Sequence, residues 1–268
     1  MALVLYTDLP SLRQVLFGSW RKQQHAGKEY PLSELGEHDG YVSSLYFHGG
    51  DNNTLVSGSG DSYIKIWDTG SKQMTNKFSH GADVLSVAGT LLDTHLILGG
   101  GSDLECTVHD IRTGKGLTKF TGAESDIEHV AFHPLDSNFF IGSSGDGVSR
   151  VYDRRKNGST PIVETSQRDY GIKTAQFSLD GRWIYSATTQ ERFWVIYDAY
   201  TGETVQSVGI DQGGPNDAIE SLIVARKLKD RQQESEMVFT GARDASIYGW
   251  DTQVSVPIES DNLVYDGE

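Results

Sequence analysis

The stretch EHDGYVSSLYFHGGDNNTLVSGSGDSYIKIWD, residues 37–68, decides the fold. Val42, Leu45 and Phe47 alternate with polar residues, as in a half-buried strand, and Thr54 to Ser57 begin a second. Gly58-Ser59-Gly60-Asp61 reads as a turn, and Tyr63-Ile64-Lys65-Ile66-Trp67 as a third strand. The runs are β-branched and aromatic, bounded by Gly, Asn, Asp and Ser, and too short for helices. Glycine is expected to supply the positive φ of the tight turn.

The pattern recurs along the chain. Trp67-Asp68 is followed by His109-Asp110, Tyr152-Asp153, Tyr197-Asp198 and Trp250-Asp251, at steps of 42, 43, 45 and 53 residues. Six residues before each ring stands an acid: Asp61, Asp103, Asp146, Glu191 and Asp244. A branched residue opens each unit's apolar alternation: Val42, Val84, Ile127, Ile172 and Ile219. A four-stranded unit cannot bury both its own faces. Stacking such units radially buries them and leaves only short, protected edges.

These units resemble WD repeats, the WD40 family, over residues 37–251. The resemblance implies an all-β, WD-repeat β-propeller with blades at 37–78, 79–120, 121–164, 165–208 and 209–258. It also implies a hydrogen-bonded tetrad, complete in the first unit as His38, Ser57, Asp61 and Trp67. The fifth unit keeps Thr240, Asp244 and Trp250 without the histidine. The second has His80 and Asp103, with His109 at the tryptophan place. The third retains Asp146 with Tyr152, and the fourth Glu191 with Tyr197. A buried aspartate must be hydrogen-bonded, so the tetrad is read as structural rather than catalytic.

Five units are plain, and rings carry four to eight. Residues 1–36 offer candidate strands at 2–7, 15–20 and 30–35, although 10–23 also fits a short helix. After the last unit, 254–258 reads as the end of the fifth blade, and 259–268 as a closing strand or tail with a candidate strand at 262–265. The two termini are expected to join in a composite sixth blade; a ring of five and an incomplete ring of seven are the alternatives. Residues 226–236 read as a polar, mixed-charge hairpin loop inserted between the first two strands of the fifth unit.

Lys and Arg number 23 against 37 Asp and Glu, a net charge of −14. Such a surface disfavours direct nucleic-acid binding and anionic membranes, and steers basic segments toward it. Cys106 is the single cysteine, which excludes an intrachain disulfide and points to the cytoplasm, the nucleus or both. It falls in a third strand, where a small buried hydrophobe is expected. The first ten residues have no basic n-region, and no run approaches a membrane span.

No catalytic constellation, metal site, cofactor motif or small-molecule site is read. Gly142-Ser143-Ser144-Gly145 is one residue short of a nucleophile elbow, and Gly99-Gly100-Gly101-Ser102 lacks the lysine of a phosphate loop. On a strand, His129 and His133 would stand about 13 Å apart, too far to share an ion.

The expected function is a non-catalytic scaffold or adaptor subunit that binds other proteins. In the family, partners bind over one end of the ring, on the segments leading into the inner strands and on the turns bearing the aspartates. Here these hold Asp39, Tyr41, Asp83, Glu124, Asp126, Asp169, Tyr170 and Asp217, with Gln190, Arg192 and Arg243 on the turns. They describe an acidic bowl with aromatic anchors, suited to Lys- or Arg-bearing segments. The plainer reading is that Asp and Glu favour turns. Arg112 and Arg155 follow Asp110 and Asp153 as in W-D-x-R boxes, which in some WD-repeat proteins dock a cullin-ligase adaptor; a solvated rim is the alternative. A propeller enzyme and a phosphoinositide-binding propeller are further alternatives, the latter on Arg154-Arg155, although Asp153 precedes the pair and Lys156-Asn157 follow it.

Overall fold

A computed structural model describes residues 2–3, 14–19, 33–49, 53–156, 160–209, 213–229, 233–252 and 262–263. Their regular elements are all β-strands, and no helix among them is long and apolar enough to cross a membrane. The first three strands, β1 (Ala2–Leu3), β2 (Gln14–Ser19) and β3 (Ser33–Glu37), form a sheet of their own. Five four-stranded antiparallel sheets follow, one per sequence repeat.

The first blade is β4 (Val42–His48), β5 (Thr54–Ser59), β6 (Tyr63–Asp68) and β7 (Gln73–Ser79). The second is β8 (Val84–Gly89), β9 (Leu96–Gly101), β10 (Cys106–Asp110) and β11 (Lys115–Phe120). The third is β12 (Ile127–Phe132), β13 (Phe139–Ser144), β14 (Ser149–Asp153) and β15 (Val163–Glu164). The fourth is β16 (Ile172–Phe177), β17 (Trp183–Thr188), β18 (Trp194–Asp198) and β19 (Thr204–Val208). The fifth is β20 (Ile219–Lys229), β21 (Gln233–Ala242), β22 (Ile247–Thr252) and β23 (Asn262–Leu263).

The first strand of each blade lines a common axial channel of about 610 Å³. Neighbouring inner strands are linked side chain to main chain. Val87 N–H donates to Ser44 Oγ, Val130 N–H to Ser86 Oγ and Val224 N–H to Gln176 Oε1, each at 3.1 Å. All five inner strands are bulged at the same place, between Val42 and Ser44, Val84 and Ser86, Ile127 and His129, Ile172 and Thr174, and Ile219 and Ser221. The extra residue leaves the ladder. Ser43, Leu85, Glu128, Lys173 and Glu220 thereby line the channel.

The core is divided by interface. Val56, Ile64, Ile66 and Phe78 of the first blade pack on Val84, Val87 and Ile97 of the second. Leu98, Cys106 and Phe120 meet Ile127, Val130, Phe140 and Tyr152. Ile141 and Val151 meet Ile172, Ile184 and Tyr197, and Tyr185 and Trp194 meet Leu222, Val238 and Trp250. Because the first four blades are covered on both faces, their second and third strands read as continuous apolar runs rather than alternating ones. Cys106 is fully buried, and burial pushes its thiol pKa up, so it serves as packing.

Several expectations are corrected. Gln14–Ser19 is strand, because β1 and β3 supply pairing partners on both sides, so the helix reading of 10–23 fails there. Asn262–Leu263 pairs with Trp250 and Gly249, making it the outer strand of the fifth blade. That blade therefore extends beyond 258, and no composite of the two termini forms among the described residues; 254–258 lies outside them. The segment 226–236 is not simply a loop. β20 and β21 stay paired out to Lys229 and Gln233, a ladder that satisfies the backbone while its polar side chains hide the strand signal.

The turn chemistry differs as well. Gly58 and Ser59 belong to β5, and the positive φ falls after the turn aspartate, at Ser62 (67°), Leu104 (64°) and Ala245 (66°), with glycine only at Gly147 (84°). The glycine at 60 is needed for closeness instead, since a Cβ there would lie 2.3 Å from the Tyr41 ring. At Gly147 conformation and space coincide: a Cβ would stand 2.3 Å from Arg168 O. Gly147→Ala is therefore expected to lower stability by more than about 1 kcal/mol, whereas Leu104→Gly leaves it unchanged or raised. Urea unfolding of the two variants checks this.

Candidate protein-binding face

One main-chain bond recurs in every blade. The residue after the second strand donates to the carbonyl just before the inner strand: Gly60 to Tyr41, Ser102 to Asp83, Gly145 to Asp126, Thr189 to Gly171 and Arg243 to Ala218, at 2.9–3.0 Å. Each lead-in segment is thus fastened to its own turn. The inner strands run side by side in one direction, so the five fastened pairs share one end of the ring.

The turn aspartates reinforce the joint. Asp61 accepts from Tyr63 N–H (3.1 Å) through one oxygen and from Asp39 N–H (3.0 Å) through the other. Asp146 does the same with Val148 and Glu124, and Asp244 with Ser246 and Asn216. This register identifies Ala123 and Pro215 at the places where the first blade has His38.

In the first blade the chain of bonds is complete. His38 Nδ1 lies 2.8 Å from Asp61, His38 Nε2 lies 2.7 Å from Ser57 Oγ, and Trp67 Nε1–H donates to Ser57 Oγ at 2.8 Å. Burial lowers the His38 pKa, so the ring is neutral, donating to Asp61 and accepting from the Ser57 hydroxyl. Burial alone would raise the Asp61 pKa, but bonds from Asp39 N–H and His38 outweigh it and hold the group low. Lys65, itself buried, donates to Glu37 O and lies 3.6 Å from Asp61.

The other blades improvise. In the fifth, Trp250 Nε1–H still reaches Thr240 Oγ1, and Tyr248 O–H donates to Asp244. In the second, Gly99 stands where the serine would be; His80 Nε2 lies 3.2 Å from Asp103 Oδ1, and neither ring nitrogen of buried His109 has a hydrogen-bond partner among the described residues. Burial pushes His109 down to about 4. In the third, buried Arg150 bridges Asp146 (2.7 Å) and Glu164 (3.0 Å), a strut that the repeat pattern gave no means of finding. In the fourth, Glu191 accepts from Thr188 Oγ1–H, while Tyr197 Oη accepts from Arg168 instead.

On the face itself, Asp39, Glu124, Asp169, Tyr170, Asp217, Gln190 and Arg192 are exposed, and Asp83 and Asp126 half-buried. Tyr41 is exposed too, and its hydroxyl donates to Asp83 at 3.0 Å, crossing from the first blade to the second. Arg243 is ion-paired with Glu220, and Lys173 with Glu128 at 3.2 Å. Pairing removes two of the cations near the channel mouth, so unpaired carboxylates dominate. Tyr41 and Tyr170 do not hold equivalent places: Tyr41 directly precedes its inner strand, and Gly171 intervenes for Tyr170.

Arg112 and Arg155 are elsewhere, past the third strands. Arg112 is held bidentate by Asp110 (3.0 and 2.6 Å), and Arg155 by Asp153 (both 2.9 Å). Their guanidinium groups hold both aspartates well below the usual carboxylate range, Asp110 to about 2. Among the described residues no group of three His, Cys, Asp or Glu is placed to hold a metal.

Five fastened blades around one axis, with turn aspartates and strand-end rings in register, define a WD-repeat β-propeller. The model of the WD domain, G-beta repeat, matches residues 29–68 and 114–153. Over 230 residues it is 26% identical to the guanine nucleotide-binding protein subunit beta of Arabidopsis thaliana, covering 82% of this chain and 59% of that protein. The subunits of Solanum tuberosum and Oryza sativa subsp. japonica are each 27% identical, over 232 and 233 residues, with the same coverage. The chain thus spans about six-tenths of the length of these relatives. None of them supports the cullin-ligase expectation for Arg112 and Arg155.

Proposed function

We propose that this chain is a non-catalytic, protein-binding subunit of a larger assembly, and that it grips basic segments of its partners on the face built by the lead-in segments and turns. The observation that carries the reading is the fivefold bond that fixes these segments at one end of the ring, where exposed carboxylates surround Tyr41 and Tyr170. A pre-organised loop costs little ordering entropy on binding, and aromatic anchors amid like charges favour cationic partners. The relatives are named as subunits, which fits a role inside an assembly. The same reading puts the chain in the cytoplasm or nucleus, away from direct contact with nucleic acid or membrane.

The test is capture of partners from a cell extract by Tyr41→Ala, Tyr170→Ala and the double variant, each first shown to melt like the parent chain. Loss of at least one partner by about tenfold, growing weaker in raised salt, is the expected outcome. Retention of every partner by the double variant removes this face from the account.

A further inference from the structure

One inner strand outruns its counterparts. Counted from the shared bulge, Val224 stands where Phe177 ends β16, yet β20 continues through Lys229. It has 11 residues, against 6 or 7 in the other inner strands. At about 3.3 Å per residue, Ala225 to Lys229 carry the β20–β21 hairpin roughly 16 Å past the level of the other blades, at the end of the ring opposite the lead-in segments. The base of this hairpin is tied down. Glu236 accepts from Tyr185 O–H (2.5 Å) and Leu179 N–H of the fourth blade and from Thr252 O–H (3.2 Å) of its own. A strand held in this way is ordered before anything binds to it, which lowers the cost of binding.

The inner edge of the extension is open. Val224 N–H points away from β21 and donates to Gln176 of β16. Backbone groups of alternate residues face the same edge of a strand, so Leu228 also turns its N–H and C=O away from β21. β20 is the last strand of its sheet, and no described strand pairs with that edge. Residues 225–229 read Ala-Arg-Lys-Leu-Lys, with three cations and no acid in a chain of net charge −14. Two copies of this edge pair badly, because an antiparallel match centred on Leu228 sets Lys227 opposite Lys229. A strand bearing Asp or Glu meets the same lysines with opposite charge.

We propose that the open edge of β20 at Leu228 is a docking strand, to which an extended, acid-bearing segment of a partner protein adds by main-chain hydrogen bonding. The backbone supplies the hold, and Lys227 and Lys229 select the acidic segment through cross-strand pairs. The site lies at the opposite end of the ring from the lead-in face and does not depend on what that face binds.

Titration of the full chain with a fluorescent octapeptide of alternating Glu and Val, and with its neutral Gln and Val counterpart, tests the proposal. The acidic peptide is expected to bind about tenfold more tightly than the neutral one, and less so in raised salt. Leu228→Pro removes an outward N–H, which an edge strand tolerates, so Tm is expected to hold while binding of the acidic peptide falls about tenfold. Lys227→Glu with Lys229→Glu is expected to abolish the preference for Glu, and it keeps the proposal falsifiable if proline disturbs the hairpin. Tyr41→Ala with Tyr170→Ala is expected to leave this binding unchanged, which separates the site from the lead-in face. No preference for the acidic peptide, or binding that survives both β20 variants, overturns the proposal. Self-association of the chain that Leu228→Pro abolishes also overturns it, because a second copy is then the occupant.

Discussion

Asp61→Ala is expected to lower the unfolding free energy by about 3–5 kcal/mol, the cost of leaving a buried charge without its partner. The size follows from what Asp61 holds. It accepts from His38 Nδ1, Asp39 N–H and Tyr63 N–H, and it faces the ammonium of Lys65, which is only 7% exposed. Removing it strands Lys65, frees the turn and unfastens His38 from Ser57 and Trp67. Asp61→Asn, which keeps the shape and some of the acceptors, should fall between the two. Equilibrium urea unfolding decides it, and a change below about 0.5 kcal/mol, ordinary for a surface site, would mean that the tetrad is not structural.

The second large effect is acid lability. His109 has a folded pKa near 4, lowered first by burial and then by His80 and Lys119, against 6.5 when free. A depressed histidine binds its proton more weakly in the fold than in the unfolded chain. Its contribution is therefore intact above pH 6.5 and is lost as pH falls from there toward 4. The difference corresponds to about 3 kcal/mol. His38 shifts in the same direction and adds to the loss. The carboxylates held low, such as Asp61 and Asp110, lose their contribution only below the ordinary carboxylate range, so pH 4–6.5 isolates the histidines. His109→Phe should reduce the slope across that window without abolishing it, because His129, pushed down to about 4 by burial, and His38 and His133, lowered by burial, act there too, and it should leave the loss below pH 4. An unaltered slope in that variant would locate the acid sensitivity elsewhere.

Much of the fold is legible in the sequence because its repeat is local. Trp67, Asp61 and Val42 mark strand end, turn and strand start, and their counterparts recur at one period. Where a repeat loses a member, the sequence shows the loss but not the substitute. Nothing at Ala123 announces that Arg150 braces Asp146, because the bridge joins residues chosen by blade-specific packing. The turn glycines mislead for a related reason. Ser62, Leu104 and Ala245 tolerate a left-handed backbone because the preceding aspartate caps the turn, an arrangement visible only as hydrogen bonds. The polar tip of β20 and β21 carries no apolar alternation, so its ladder escapes a reading based on periodicity.

Of the candidate face, residue types and blade positions are legible, and mutual pairing is not. The Tyr41–Asp83 bond crosses between blades, and Glu220 removes the charge of Arg243. The first depends on the radial offset of neighbouring sheets and the second on how β20 is set against the turn after β21, and no local window encodes either.

Hydrogen exchange of the chain, alone and with a partner recovered by affinity purification, addresses the central claim most directly. The account predicts new protection at the lead-in segments and turns, around Tyr41, Asp83, Tyr170 and Asp217, while the outer strands β7, β11 and β19 keep their free-state rates. Protection confined to those outer strands, with exchange around Tyr41 and Tyr170 unchanged, would contradict it.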